Sequence, residues 1–124
     1  MLVREVAELL KAAPIACWTE ENQSRDYEVA FATDLMSDAL LMIQSAPEKT
    51  ILITGLANAQ TLRTAEMLDL QFIVFVRSKY LDDETIAMAN RMGICAVCTD
   101  YTMYEACGIL YGKGLDSIHG KRAA

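Results

Sequence analysis

Between Thr50 and Leu115 the apolar residues come in short unbroken blocks set between longer amphipathic stretches. The blocks are Thr50-Ile51-Leu52-Ile53-Thr54, Phe72-Ile73-Val74-Phe75-Val76 and Ile94-Cys95-Ala96-Val97-Cys98. Each has strand length and is rich in residues that suit a pleated, buried surface. Each is followed by a helical pattern, near Asn58 to Asp69, Asp83 to Met92 and Thr102 to Tyr111. A strand that is apolar at nearly every position is covered on both faces, and the intervening helices supply both cover and crossover. The pattern predicts an α/β fold: a three-layer-like single domain with a mainly parallel sheet built from consecutive β-α units.

The first half of the chain carries weaker periodicity. Leu2, Val6, Leu9 and Leu10 share one face of a helix that Pro14 terminates. Ile15 to Trp18 fits a short strand, Thr19 to Asp26 a polar loop, and Tyr27 to Phe31 a partly exposed strand. A helix then follows Thr33, with Asp34 or Ser37 as its N-cap and Met36, Leu40 and Ile43 as its apolar stripe. The last helix is the best specified. Thr102-Met103-Tyr104-Glu105 fits a capping box, in which hydroxyl and carboxylate satisfy each other's backbone N–H groups. Met103, Ala106, Cys107 and Leu110 form its inner stripe, and Gly112 or Gly114 its stop. Residues 1–115 make one domain, and 116–124, with His119, Lys121 and Arg122, a flexible tail.

Composition changes this picture little and charge changes it more. A chain of 124 residues, 53% hydrophobic and 23% charged, is an ordinary globular domain. Its formal charge of -6 argues against nucleic acid or an anionic membrane as partner. No apolar run approaches the roughly 18 residues of a membrane span. The charged start, Met1-Leu2-Val3-Arg4-Glu5, is unlike a signal peptide, so the four cysteines are expected as thiols in a reducing cytoplasm.

Ligands of open parallel sheets bind outside the carboxyl ends of the strands. Those ends carry Gly55 and Asn58, then Arg77, Ser78 and Lys79, then Thr99, Asp100 and Thr102. A helix start beside Gly55 and Asn58, with Arg77 and Lys79 near it, suits an anion; the competing reading is a tight turn, a cap and two solvated cations. Asp34 and Asp38 are spaced to share a helix face, for metal or acid–base work or simply for capping and solvation. Cys95, Cys98 and Cys107 invite a redox or iron–sulfur reading. Strand geometry opposes it, because an odd spacing turns Cys95 and Cys98 to opposite faces. With His119 as the one histidine and no Gly-x-Ser-x-Gly elbow, no catalytic set is readable, and neither is a metal site.

Thr33-Asp34-Leu35-Met36-Ser37-Asp38-Ala39-Leu40 resembles the Asp-Leu-Leu-Ser-Asp-Val segment of small stand-alone DRTGG-domain proteins. The resemblance runs through Ile51 to Gly55, Phe72 to Arg77, Asp82 to Thr85, Gly93-Ile94 and the Tyr104 to Tyr111 helix, covering about Leu2 to Leu115. The signature itself is replaced: Gly55-Leu56-Ala57 stands for Gly-Asp-Arg, and Val76-Arg77-Ser78 for Thr-Gly-Gly. The resemblance implies an α/β domain, usually homodimeric, that elsewhere accompanies nucleotide-binding CBS pairs and has no chemistry of its own. The expected function is therefore a non-catalytic regulatory or interaction module that dimerises and senses a small anionic ligand such as a nucleotide, without a cofactor. A partner protein in a signalling or redox system fits the same reading. The alternative is a redox or iron–sulfur accessory protein using Cys95, Cys98 and Cys107.

Overall fold

The computed structural model describes residues 1–78 and 80–119. In chain order the elements are α1 (Val3–Leu9), β1 (Ala13–Ala16), α2 (Glu20–Gln23), β2 (Val29–Ala32), α3 (Met36–Met42) and β3 (Thr50–Thr54), the last preceded by a 3-10 turn at Pro47–Lys49. They continue with α4 (Ala59–Met67), β4 (Phe72–Phe75), α5 (Asp83–Met92), β5 (Cys95–Cys98), α6 (Met103–Gly112) and β6 (Asp116–Ser117). The strands form one sheet in the order β1-β5-β4-β3-β2-β6. It is mixed: β1 runs antiparallel to β5, and every other pairing is parallel.

Side-chain alternation along the strands divides the interior in two. Ile51, Ile53, Phe72, Val74, Cys95 and Val97 pack under Val3, Val6 and Leu10 of the first helix and Ala106 and Leu110 of α6. Leu52, Ile73, Phe75, Ala96 and Cys98 pack under Met36 and Ala39 of α3, Leu62 and Ala65 of α4, and Ala89 of α5. All of β3, β4 and β5 is buried, which is why those strands read as continuous apolar blocks. Tyr27 closes the first of these cores with its ring centroid 5.4 Å from that of Phe72.

Several boundaries differ from the sequence pattern. The first helix buries Val3, Val6, Ala7 and Leu10 and ends at Leu10, with Lys11 turning left-handed (φ 51°), so Pro14 falls inside β1. Proline is tolerated there because β1 is an edge strand. The polar segment after Trp18 contains α2, whose first turn is capped by Thr19 accepting the Asn22 N–H at 3.1 Å. Asp116 and Ser117, assigned to the tail, pair in parallel with Val29 and Ala30 and form the far edge of the sheet. Residues 120–124 lie outside the described residues. Among those described, no helix is long and apolar enough to cross a membrane.

Candidate functional site

Strands β2 to β5 are parallel, so the segments after Ala32, Thr54, Phe75 and Cys98 gather along one edge of the sheet. The link across this edge is Asp34. It is not the cap of α3; that position is Leu35, whose N–H is taken by the Thr33 hydroxyl at 3.0 Å. The Asp34 carboxylate instead crosses to the neighbouring strand. Oδ1 accepts the Gly55 N–H at 2.6 Å and the Thr54 hydroxyl at 3.4 Å, and Oδ2 stands 3.2 Å from Nη2 of Arg77. The ion pair is about half exposed on both sides, so its Coulombic contribution is small, of order 0–1 kcal/mol.

Gly55 makes room for this arrangement. A Cβ there would fall 2.1 Å from Arg77 Nη2, so any larger residue displaces the guanidinium from above the strand end. Arg77 and Ser78 themselves have φ of 63° and 57°, two successive residues in the left-handed region without being glycine. Such positions cost of order 1–3 kcal/mol each and persist where surrounding contacts over-determine them. Here the contacts are Arg77 N–H to Tyr101 O (2.8 Å), Ser78 N–H to Thr99 O (3.1 Å) and Ser78 Oγ to Asp100 Oδ1 (2.8 Å). Tyr80 lies beside the same carboxylate, and the charge of Asp100 holds its phenol above the usual value.

Three of the sequence-derived candidates serve the fold. Asn58 caps α4 by accepting the Thr61 N–H at 3.3 Å. Thr102 and Glu105 form the expected capping box, and the hydrogen bonds from Thr102 hold the Glu105 carboxyl below its ordinary range. Thr99 is buried, and its hydroxyl donates to Leu10 O at 2.6 Å, tying the end of β5 to the first helix. Ser37 and Asp38 are exposed on α3, but Asp34 precedes that helix, so the shared Asp34–Asp38 face does not form. Lys79 lies outside the described residues. The structure therefore brings together Asp34, Gly55 and Arg77, and beside them Ser78, Asp100 and Tyr80. Sequence reasoning missed Tyr80, and it missed Asp34 as the bridge because that contact spans two strands.

The thiols divide as the odd spacing requires. Cys95 packs in the core under α6 and Cys98 in the core under α5, so the two cannot hold one ion without breaking β5. Burial pushes their thiols up to about 12 and about 11, far from the thiolate that metal or redox chemistry needs. His119 lines a cavity of about 340 Å³ with Met42, Ile43 and Thr50, at the amino end of β3.

Compared with models of known protein families and with curated proteins, the chain matches none. It is similar in structure to the CBS and DRTGG domains of the regulatory region of Clostridium perfringens pyrophosphatase, solved in complex with its activator, diadenosine tetraphosphate. The TM-score is 0.70 at 15% identity, covering 98% of this chain and 50% of that one. The chain thus spans about half the length of the structure it matches. The likeness supports the DRTGG-like fold.

Proposed function

We propose that this protein is a non-catalytic regulatory module, acting as a homodimer, that binds a small polyanion of nucleotide type at the carboxyl ends of β2 to β5. The observation that carries the reading is the strained Arg77–Ser78 turn, which holds a guanidinium over Gly55 against the Asp34 carboxylate. Strain of this kind is maintained where a site needs a side chain in one place. The carboxylate occupies the backbone N–H and guanidinium that a phosphoryl oxygen would use, and a phosphate, with more charge and more acceptor oxygens, competes for both. A regulatory region of similar fold that takes a dinucleotide polyphosphate supports the choice of ligand class. The dimer, like an exchange of signals with a partner protein, rests on the family resemblance.

The test is titration with ATP and with diadenosine tetraphosphate, read by calorimetry and by backbone amide shifts. Shifts centred on Gly55, Arg77 and Ser78 are expected, with Arg77→Ala abolishing them. Asp34→Asn should tighten binding, because the internal competitor is removed while its shape is kept. Binding that is unchanged in Arg77→Ala would remove this edge as the site.

A further inference from the structure

Helix α3 is tied to the domain differently from the helices that follow it. Asn58, Asp82 and Thr102 cap the starts of α4, α5 and α6, whereas α3 opens on Leu35 with no side-chain cap. It runs seven residues, too short to be stable alone, and buries Met36 and Ala39, with Ile43 just past its end. Leu35, Leu40, Leu41 and Met42 stay exposed. The side chain that fixes its start to the sheet belongs to the residue before Leu35. The Asp34 carboxylate takes the Gly55 N–H at 2.6 Å and stands 3.2 Å from Arg77 Nη2. One residue earlier the tie is a main-chain bond, Thr33 N–H to Ile53 O at 3.0 Å. The segment from Thr33 to Met36 thus has a firm end on the sheet, a side-chain anchor next to it, and a lightly packed helix beyond.

We infer that Asp34 is a latch on α3, released when an anionic ligand takes its place. The inference rests on the polyanion site proposed above and names how occupancy of that site is passed on. Phosphoryl oxygens bonded to the Gly55 N–H and to Arg77 exclude the Asp34 carboxylate, because the donors are the same and two anions at one place repel. With the carboxylate displaced, the start of α3 keeps the Thr33 hydroxyl on the Leu35 N–H, a bond within the same segment, and loses its side-chain tie to the sheet. A short helix with so few buried residues opens locally at the low-stability end of the fold. Loss of a charge-assisted hydrogen bond shifts such an opening by about tenfold or more. The sign is unusual. A ligand that binds the folded state stabilises it and slows exchange, whereas a ligand that frees the latch speeds exchange in α3.

Amide hydrogen exchange of the wild-type chain, Asp34→Ala and Asp38→Asn, each with and without ATP, tests the latch. Without ATP, the amides of Ala39 to Ile43 should exchange about tenfold or more faster in Asp34→Ala than in wild type, while those of Leu62 to Met67 in α4 keep their rates. Asp38→Asn removes the same charge from an exposed position of α3 and should exchange as wild type does. ATP should speed the α3 amides of wild type toward the Asp34→Ala rates and leave those of Asp34→Ala, already released, unchanged. A merely structural tie gives no such acceleration. ATP that shifts the Gly55 and Arg77 amides of wild type without speeding α3 overturns the latch and leaves the site standing. ATP that shifts neither overturns the site and the latch together. Rates for α3 in Asp34→Ala equal to those of wild type overturn the latch whatever the site binds.

Discussion

Helices α5 and α6 are alike in what they do for the fold and unlike in what they show to solvent. Each runs ten residues, each is opened by a side-chain cap, Asp82 to Thr85 and Thr102 to Glu105, and each covers one face of the same strands. Outside, α5 presents Asp83, Glu84, Ala87, Asn90 and Arg91, whereas α6 presents Tyr104, Gly108, Tyr111 and Gly112, with Glu105 as its one charge. Part of the polar surface of α5 also works for the fold: Asn90 Oδ1 accepts the Cys17 N–H at 2.9 Å and anchors the end of β1. The difference teaches that caps and inner stripes answer to the domain, while the outer faces, which pack against nothing within it, are free to differ.

The comparison is broken most strongly from the inside. Leu110 is fully buried under α6, so Leu110→Ala should cost about 2–5 kcal/mol in urea unfolding through the cavity it leaves. The inner position of α5 is already small: Ala89 is fully buried, and Ala89→Leu should destabilise by crowding, by about 1–3 kcal/mol. The caps should cost the two helices alike, about 1 kcal/mol each for Asp82→Ala and Thr102→Ala. A clear inequality between them would show that one helix start is held by more than its cap.

Acid should loosen both starts together. The carboxyls of Asp82 and Glu105 are held below their ordinary values of 3.8 and 4.5 by hydrogen bonds from Thr85 and Thr102. A depressed folded-state value means stability that is present above the ordinary value and lost as pH falls through the depressed one. Melting temperature followed from pH 6 downward should therefore fall less in Glu105→Gln than in wild type. The smallest effect belongs to the outer face of α5, where Ala87→Glu should change stability by less than about 0.5 kcal/mol. The same charge placed at Tyr104, an exposed position of α6, should be equally mild for folding.

Much of the fold was legible because its signals are local. The three buried strands, the caps at Asn58 and Thr102, and the opposed faces of Cys95 and Cys98 follow from alternation and from hydrogen bonds reaching three residues along the chain. The candidate site was legible only as a list of strand ends. Which of them hold a cap, which hold a core and which meet at Arg77 depends on the order of strands across the sheet. Thr99 shows the difference: it ends a strand, as a ligand residue should, yet its hydroxyl is buried against the first helix.

The sequence by itself determined the α/β class, the central strands and the positions of α4, α5 and α6, since periodicity and capping are short-range. Tertiary structure decided that β1 joins β5 antiparallel, that Asp116 and Ser117 extend the sheet, and that Asp34 reaches Gly55 and Arg77. Each of those contacts joins residues distant in the chain. Its formation depends on register and on loop closure, which no local pattern encodes.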